Sequence, residues 1–150
     1  MKLISHRGNV SSVQTERENT KEYIDEAIDE GFDVEIDVWK LSNYDDVLWL
    51  GHDKSEQEID LDWLSDRRNN LWVHAKNFMA LEYLLKNDIK VFYHQKEEHV
   101  VIGNTTKIWS HNITEAGGSS IIPLLSKEDI DKCTSRRFYG ICSDYVQCLK

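Results

Sequence analysis

Residues 31–39 read GFDVEIDVW, and the alternation inside this stretch decides the fold. Phe32, Val34, Ile36 and Val38 fall on one side of an extended chain, and Asp33, Glu35, Asp37 and Trp39 on the other. That is the two-residue period of a β-strand. Carboxylates, however, are seldom buried without a partner. Glu35 and Asp37 would share a strand face with Cα atoms about 6.7 Å apart. At about 6 Å and an effective dielectric near 20, two such charges repel by roughly 2.8 kcal/mol. Something cationic must offset that. A hard divalent ion with oxygen ligands would do so, and salt bridges to Arg7 and Lys76 are the alternative.

Working outward, a short apolar start at Lys2–Ser5 runs into HRGN (6–9). Asn19 and Glu22 predict a capping box for a helix with Tyr23, Ile24, Ala27 and Ile28 on its apolar face and Gly31 as its stop. The turn LSNYDD (41–46) leads to a further strand, VLWLGHD (47–53). LDWLSDRR (61–68) predicts a helix, LWVHA (71–75) a strand, FMALEYLLKN (78–87) a helix and IKVFYHQ (89–95) a strand. HVVIGNTTKIWSH (99–111) reads as two short strands around a Gly103–Asn104 turn, a hairpin with no helix between them. SSIIPLL (119–125), SKEDIDKC (126–133) and YGICSDY (139–145) predict strand, helix and strand.

About eight strands alternating with three or four helices predict α/β architecture with parallel βα units, and eight of them a (β/α)8 TIM barrel. Such barrels take about 250 residues and at least roughly 200. At 150 residues the chain is expected to be one domain, 1–150, with several outer helices shortened or missing, above all around residues 95–110.

The chain carries 30% charged residues, five tryptophans and a net charge of -9, the composition of a soluble globular domain. That charge argues against nucleic acid or an anionic membrane as partner, since both call for basic patches. Much of it is the solvated helix face KEYIDEAIDE (21–30). No segment is long and apolar enough for a transmembrane span, and MKLISHRG (1–8) lacks the apolar core of a signal peptide. Three late cysteines without a CxxC are expected to be reduced in a cytoplasmic protein, a Cys142–Cys148 disulfide being the alternative.

The strand ends carry the chemistry. The first reaches His6 and Arg7, the second holds Glu35 and Asp37, and the third ends in His52 and Asp53. The fourth holds His74 and Lys76, and the fifth reaches His94. In parallel α/β architectures those ends converge on one mouth. His6 and His52, on separate strands, suit a base and an acid at neutral pH. Arg7 offers a planar fork to phosphate and Lys76 a point charge. With a metal between the carboxylates, this set describes phosphodiester cleavage better than acyl transfer. His94 either lines the mouth or packs. His99 reads as a surface residue and His111 as a loop residue, with Trp109 placed to stack on a headgroup.

The ordered motifs SHRGN (5–9), ENT (18–20), GFDVEIDVW (31–39) and LWLGHD (48–53) resemble the glycerophosphodiester phosphodiesterase family, within the phosphatidylinositol-specific phospholipase C-like enzymes. The resemblance is specific over residues 3–53, with GICSDY (140–145) resembling the segment that closes the family's barrel. It implies His6 and His52 as the acid–base pair, Arg7 on phosphate, and Glu35 and Asp37 on a divalent metal, usually Ca2+ or Mg2+. The family has a carboxylate on the fourth strand, followed two residues later by a lysine. Here VHAKN (73–77) keeps Lys76 but has His74 where the acid would stand. An imidazole there either ligates weakly, favouring Mn2+ or Zn2+ over Ca2+, or only orients substrate. The implied substrate is a small-molecule or lipid-derived phosphodiester. A catalytically weakened barrel binding a phosphorylated ligand or partner is the second reading, and a zinc hydrolase using His6, His52 and His74 the third. Barrel surface left bare by missing helices would suit a homodimer.

Overall fold

A computed structural model describes residues 1–133 and 137–150. Among them the order is β1 (Lys2–His6), α1 (Lys21–Asp29), β2 (Asp33–Trp39), β3 (Leu48–Leu50), β4 (Gln57–Ile59), α2 (Leu61–Arg67) and β5 (Leu71–Ala75). Then follow α3 (Phe78–Lys86), β6 (Val91–Phe92), β7 (His99–Ile102), β8 (Lys107–Ser110), β9 (Ser120–Pro123), α4 (Lys127–Lys132) and β10 (Gly140–Ser143), with a 3-10 turn at Val146–Leu149. Each α-helix opens on a side-chain cap. Thr20, Asp60, Asn77 and Ser126 accept from the backbone N–H three residues on, which satisfies one of the orphan donors of the first turn. The cap of α1 is therefore Thr20, one residue beyond the expected Asn19, whose amide is needed elsewhere.

The architecture is mixed α/β, with one large, mostly parallel ten-stranded sheet. β2 is its centre. It runs parallel to β1, with Ser5 beside Val34, and parallel to β5 from Val34–Leu71 through Val38–Ala75. Val34, Ile36 and Val38 are fully buried and pack with Ile24 and Ala27 of α1, Leu64 of α2, and Ala80 and Leu84 of α3. The alternation is thus realised as expected: the apolar face of β2 lies under helices, and Glu35 and Asp37 belong to the other. On the far side of the sheet, β1 and β5 through β10 give one residue each to a second cluster, Ile4, Trp72, Phe92, Ile102, Trp109, Ile121 and Cys142. The burial of about thirty such apolar side chains is the main stabilising term of the fold.

The expected eight-stranded (β/α)8 barrel is not confirmed, and ten strands replace about eight. The segment expected as a parallel third strand is β3, antiparallel to β2 through Val38–Leu50 and Trp39–Trp49 and continued by β4, which the pattern did not announce. An antiparallel return needs only a short turn, so no helix precedes it. β7 and β8 form the expected antiparallel hairpin. Between β6 and β7 there is a single antiparallel bridge, Val91–Gly103, rather than a ladder. Cys142 and Cys148 do not form the alternative disulfide, and no helix among the described residues is long and apolar enough to cross a membrane.

The loop after β3 is held by Gly51. Its φ of 143° is one that side-chain-bearing residues rarely adopt, and a Cβ there would collide with the Lys54 carbonyl oxygen. Gly51→Ala is expected to cost about 1–3 kcal/mol, lowering Tm by roughly 3–9 °C in a chain of this size. Thermal denaturation followed by circular dichroism would read it, and an unchanged Tm would refute the strain.

Candidate active site

β1 ends at His6, and the chain then reverses through two left-handed residues, Arg7 (φ 56°) and Gly8 (φ 97°). Glycine is required at the second, because a Cβ would lie 2.6 Å from the Tyr23 ring of α1. The turn is clipped over β2 by the Arg7 N–H, which donates to the Glu35 carbonyl at 2.9 Å. The Arg7 side chain is thereby laid against the acids of β2. Its Nε stands 3.0 Å from Asp37 Oδ2, close but not aligned for a hydrogen bond, and its Nη1 donates to Glu18 at 3.1 Å.

Asp37 is compensated from every side. Asn19 donates to its Oδ2 at 2.9 Å and accepts from its backbone N–H, also at 2.9 Å. His74 Nδ1 donates to Oδ1 at 3.0 Å, and Lys76 Nζ lies 3.5 Å from the same oxygen. Burial would raise this carboxyl, but His74, Arg7 and Lys76 outweigh it and hold Asp37 below the usual carboxylate range. Glu35 has no such company. It is buried, its Oε2 has no hydrogen-bond partner, and its one ion-pair contact within 4 Å among the described residues is His6 Nε2 at 3.8 Å, with His74 and Arg7 acting from farther away. Burial first and Asp37 second push its pKa up to about 7. Salt bridges therefore answer the like-charge problem for Asp37 and leave it open at Glu35.

Glu35, Asp37 and His74 bring their donor atoms within 4.8 Å of one another. Two carboxylates, an imidazole and an orphaned buried oxygen fit a divalent cation. Lys76 compensates Asp37 and is not among the residues lining the cleft beside these groups.

His6 is oriented by a residue the sequence reading missed. Its Nδ1 donates to Asp144 Oδ1 at 2.8 Å, and Asp144 also accepts from Asn9 Nδ2 at 2.7 Å. Asn9 Nδ2 in turn reaches Glu18 Oε1 at 2.8 Å. Burial lowers the affinity of His6 for a proton, but the bond to Asp144 and the charge of Glu35 prevail, and its pKa is raised. The motif ENT thus acquires three separate jobs: Glu18 fixes Arg7 and Asn9, Asn19 fixes Asp37, and Thr20 caps α1. His52 reaches the same cleft from the β3–β4 loop, half exposed, with Nδ1 donating to Asp53 at 2.7 Å.

The cleft, about 150 Å³, is lined by His6, Arg7, Glu35, Asp37, His52 and His74, and beyond them by Phe92, His94, Trp109 and His111. The rings lie close to parallel, Trp109 and Phe92 with centroids 4.5 Å apart, and Phe92, His74 and His94 in a triangle of 5.1, 4.5 and 6.0 Å. His111 meets His94 edge-on at 4.8 Å. Burial and then His74 lower the pKa of His94 to about 4, and burial lowers that of His111 as well. His111, read as a loop residue, belongs to the cleft, whereas His99 stays outside it, between Ser110 and Glu115.

Comparison with known protein families, with curated proteins and with solved structures finds no match.

The sign of the Glu35 shift makes a prediction. A carboxyl whose folded pKa is raised from 4.5 to about 7 contributes stability that is full below 4.5 and lost as pH rises through 7. In chelator at pH 8, Glu35→Gln should therefore be more stable than the parent chain, by about 1–3 kcal/mol. It should also lose any rise in Tm that divalent cations give the parent. Denaturation scans with and without metal at pH 5 and pH 8 would measure both, and a less stable variant at pH 8 would contradict the reading of Glu35 as uncompensated.

Proposed function

We propose that the chain is a metal-dependent phosphodiesterase that hydrolyses a glycerophosphodiester-type bond with two histidines as acid and base, on a reduced (β/α)8 barrel. The observation that carries the reading is the uncompensated Glu35 oxygen, set within a carboxylate–imidazole cluster and flanked by Arg7 and His6. For the barrel, the support is that β1 pairs with both β2 and β10, while a single bridge, Val91–Gly103, links β6 to the end of β7, with β3 and β4 outside that path. The absence of a Cys142–Cys148 disulfide accords with a cytoplasmic location.

A divalent cation held by Glu35, Asp37 and His74 would neutralise charge on the phosphoryl oxygens. The carboxylates suit Mg2+ or Ca2+, and the imidazole tilts the set toward Mn2+ or Zn2+. Arg7, with Nη1 bonded to Glu18 and Nε beside Asp37, keeps Nη2 for a phosphoryl oxygen. Asp144 holds the His6 proton on Nδ1, leaving the Nε2 lone pair to take a proton from a neighbouring hydroxyl of the substrate. That oxygen bonds to phosphorus, the bond to the other arm breaks, and His52 protonates the departing alkoxide. Water then opens the cyclic phosphate with the two histidines in exchanged roles, which restores both.

A second reading, a catalytically weakened barrel that binds a phosphorylated ligand, is favoured by the bond between His74 and Asp37, which occupies an oxygen a metal would use. Calorimetry with Mg2+, Ca2+, Mn2+ and Zn2+ separates the two, since a binding module has no need of the metal.

A panel of phosphodiesters, glycerophosphocholine and a chromogenic diester among them, assayed with each metal and in chelator, is expected to give metal-dependent cleavage. His6→Ala and His52→Ala should each lower kcat by about 10²–10⁴-fold with the circular dichroism unchanged. Retained activity in either variant would sink the mechanism. Asp144→Asn is expected to cost about 10²–10⁴-fold in kcat with a smaller change in KM, since it acts by fixing the tautomer of His6. An equal loss through KM alone would assign Asp144 to substrate binding instead.

A further inference from the structure

Arg7 and His6 stand at opposite ends of one hydrogen-bonded chain, and a single neutral side chain joins its halves. Glu18 accepts from Arg7 Nη1 at 3.1 Å, and Asp144 accepts from His6 Nδ1 at 2.8 Å. Between the two acids lies Asn9, which has no exposed surface. Its Nδ2 donates to Glu18 Oε1 at 2.8 Å and to Asp144 Oδ1 at 2.7 Å. Its Oδ1 accepts from the Gln14 backbone N–H at 3.0 Å. The acids come from 9 and 135 positions further along the chain, so Asn9 is where the first turn, the loop before α1 and the end of β10 meet.

The choice of side chain is chemical. A buried carboxylate left short of a hydrogen bond is costly, and here two of them are served from one point. An amide nitrogen carries two hydrogens and no charge, whereas a hydroxyl carries one. An ammonium would reach both acids but would compete with Arg7 and His6 for their oxygens. The consequences differ on the two sides. Glu18 has one oxygen on Asn9 and the other on Arg7, so a turn of its carboxylate moves the guanidinium. Asp144 uses the same oxygen for Asn9 and for His6, so without Asn9 its carboxylate is free to swing under the imidazole. The hold on the loop through Gln14 uses the amide oxygen and is separate from both.

We infer that Asn9 is a positioning residue that couples the phosphate-binding guanidinium of Arg7 to the base His6, through Glu18 on one side and Asp144 on the other. The inference rests on the phosphodiesterase reading and adds to it a residue that does not line the cleft. Asn9→Asp keeps an oxygen for Gln14 and removes the shared donor, since the acid has no hydrogen when ionised and one when protonated. On the full chain with Mn2+ and a chromogenic diester, it is expected to lower kcat and raise KM, each by about 10–100-fold, the size of a lost hydrogen bond to a charged group. Asn9→Leu, which adds no charge, should do the same with the circular dichroism unchanged. In an Asp144→Asn chain Asn9→Leu should cost no further kcat, and in a Glu18→Gln chain no further KM, because each path is already cut. A residue that merely held the turn would add its full loss in both backgrounds. That result overturns the inference, as does a loss confined to kcat or to KM. The parent chain gives a readout without variants: both Asn9 Nδ2 protons should exchange slowly with solvent by nuclear magnetic resonance, and fast exchange of either overturns the inference. A parent chain that cleaves no diester overturns the phosphodiesterase reading and the coupling together, whereas cleavage accompanied by any of the contrary results overturns the coupling alone.

Discussion

Two carboxylates on one face of a buried strand repel each other, and much of the surrounding structure is a partial answer to that repulsion. The turn after β1 brings Arg7, the polar loop before α1 brings Asn19, and β5 brings His74 and Lys76. All four converge on Asp37. Glu35, one strand pleat away, accepts no hydrogen bond at Oε2 and feels His6, His74 and Arg7 only at a distance. Such a distribution is costly to the empty protein, because an ionised carboxylate without hydrogen bonds pays its full desolvation. The asymmetry separates a carboxylate held by the scaffold from one whose pKa is pushed up by burial, and perturbed buried groups of that kind cluster at functional sites.

The chemistry stands on a small part of the fold. β10, β1, β2 and β5 are four contiguous parallel strands, and on or just beyond them lie Asp144, His6, Glu35, Asp37 and His74. Parallel strands send their carboxyl ends the same way, so these groups meet without help from the rest. The antiparallel additions play a different part. The β3–β4 pair delivers the loop that carries His52, and the β7–β8 hairpin delivers Trp109 and His111. A hairpin needs no crossover helix, so the chain surrounds its cleft in fewer residues than a regular βα repeat would take.

What the sequence disclosed, and what it withheld, follows from the range of the interactions. The two faces of β2 were legible because side-chain direction in a strand is set by a period of two. The apolar stripe of α1 was legible for the corresponding reason in a helix. Strand direction was not, since apolar alternation is the same read either way, and β3 was expected to run parallel. β4, with Gln57 and Glu58 in three residues, has almost no apolar pattern to read. Asn19 has the chemistry of a helix cap and sits beside one. Only the placement of β2 against the loop shows that its amide serves Asp37 and that Thr20 takes the cap. Asp144 was invisible as a partner of His6 because no local signal spans so much chain, although the segment that holds it had been singled out.

The bond between His6 and Asp144 joins groups 138 positions apart. β1 is the first strand of the chain, yet its far neighbour β10 does not exist until residue 140 has been added. Closing so long a loop is entropically expensive, and topologies that depend on contacts of that span fold slowly. Until that pairing forms, a partly folded chain, however much of α1, β2 and β5 it has already built, holds a His6 imidazole whose tautomer Asp144 does not fix. Orientation is tied to completion: the bond that fixes His6 also certifies that the first and last strands of the chain have paired.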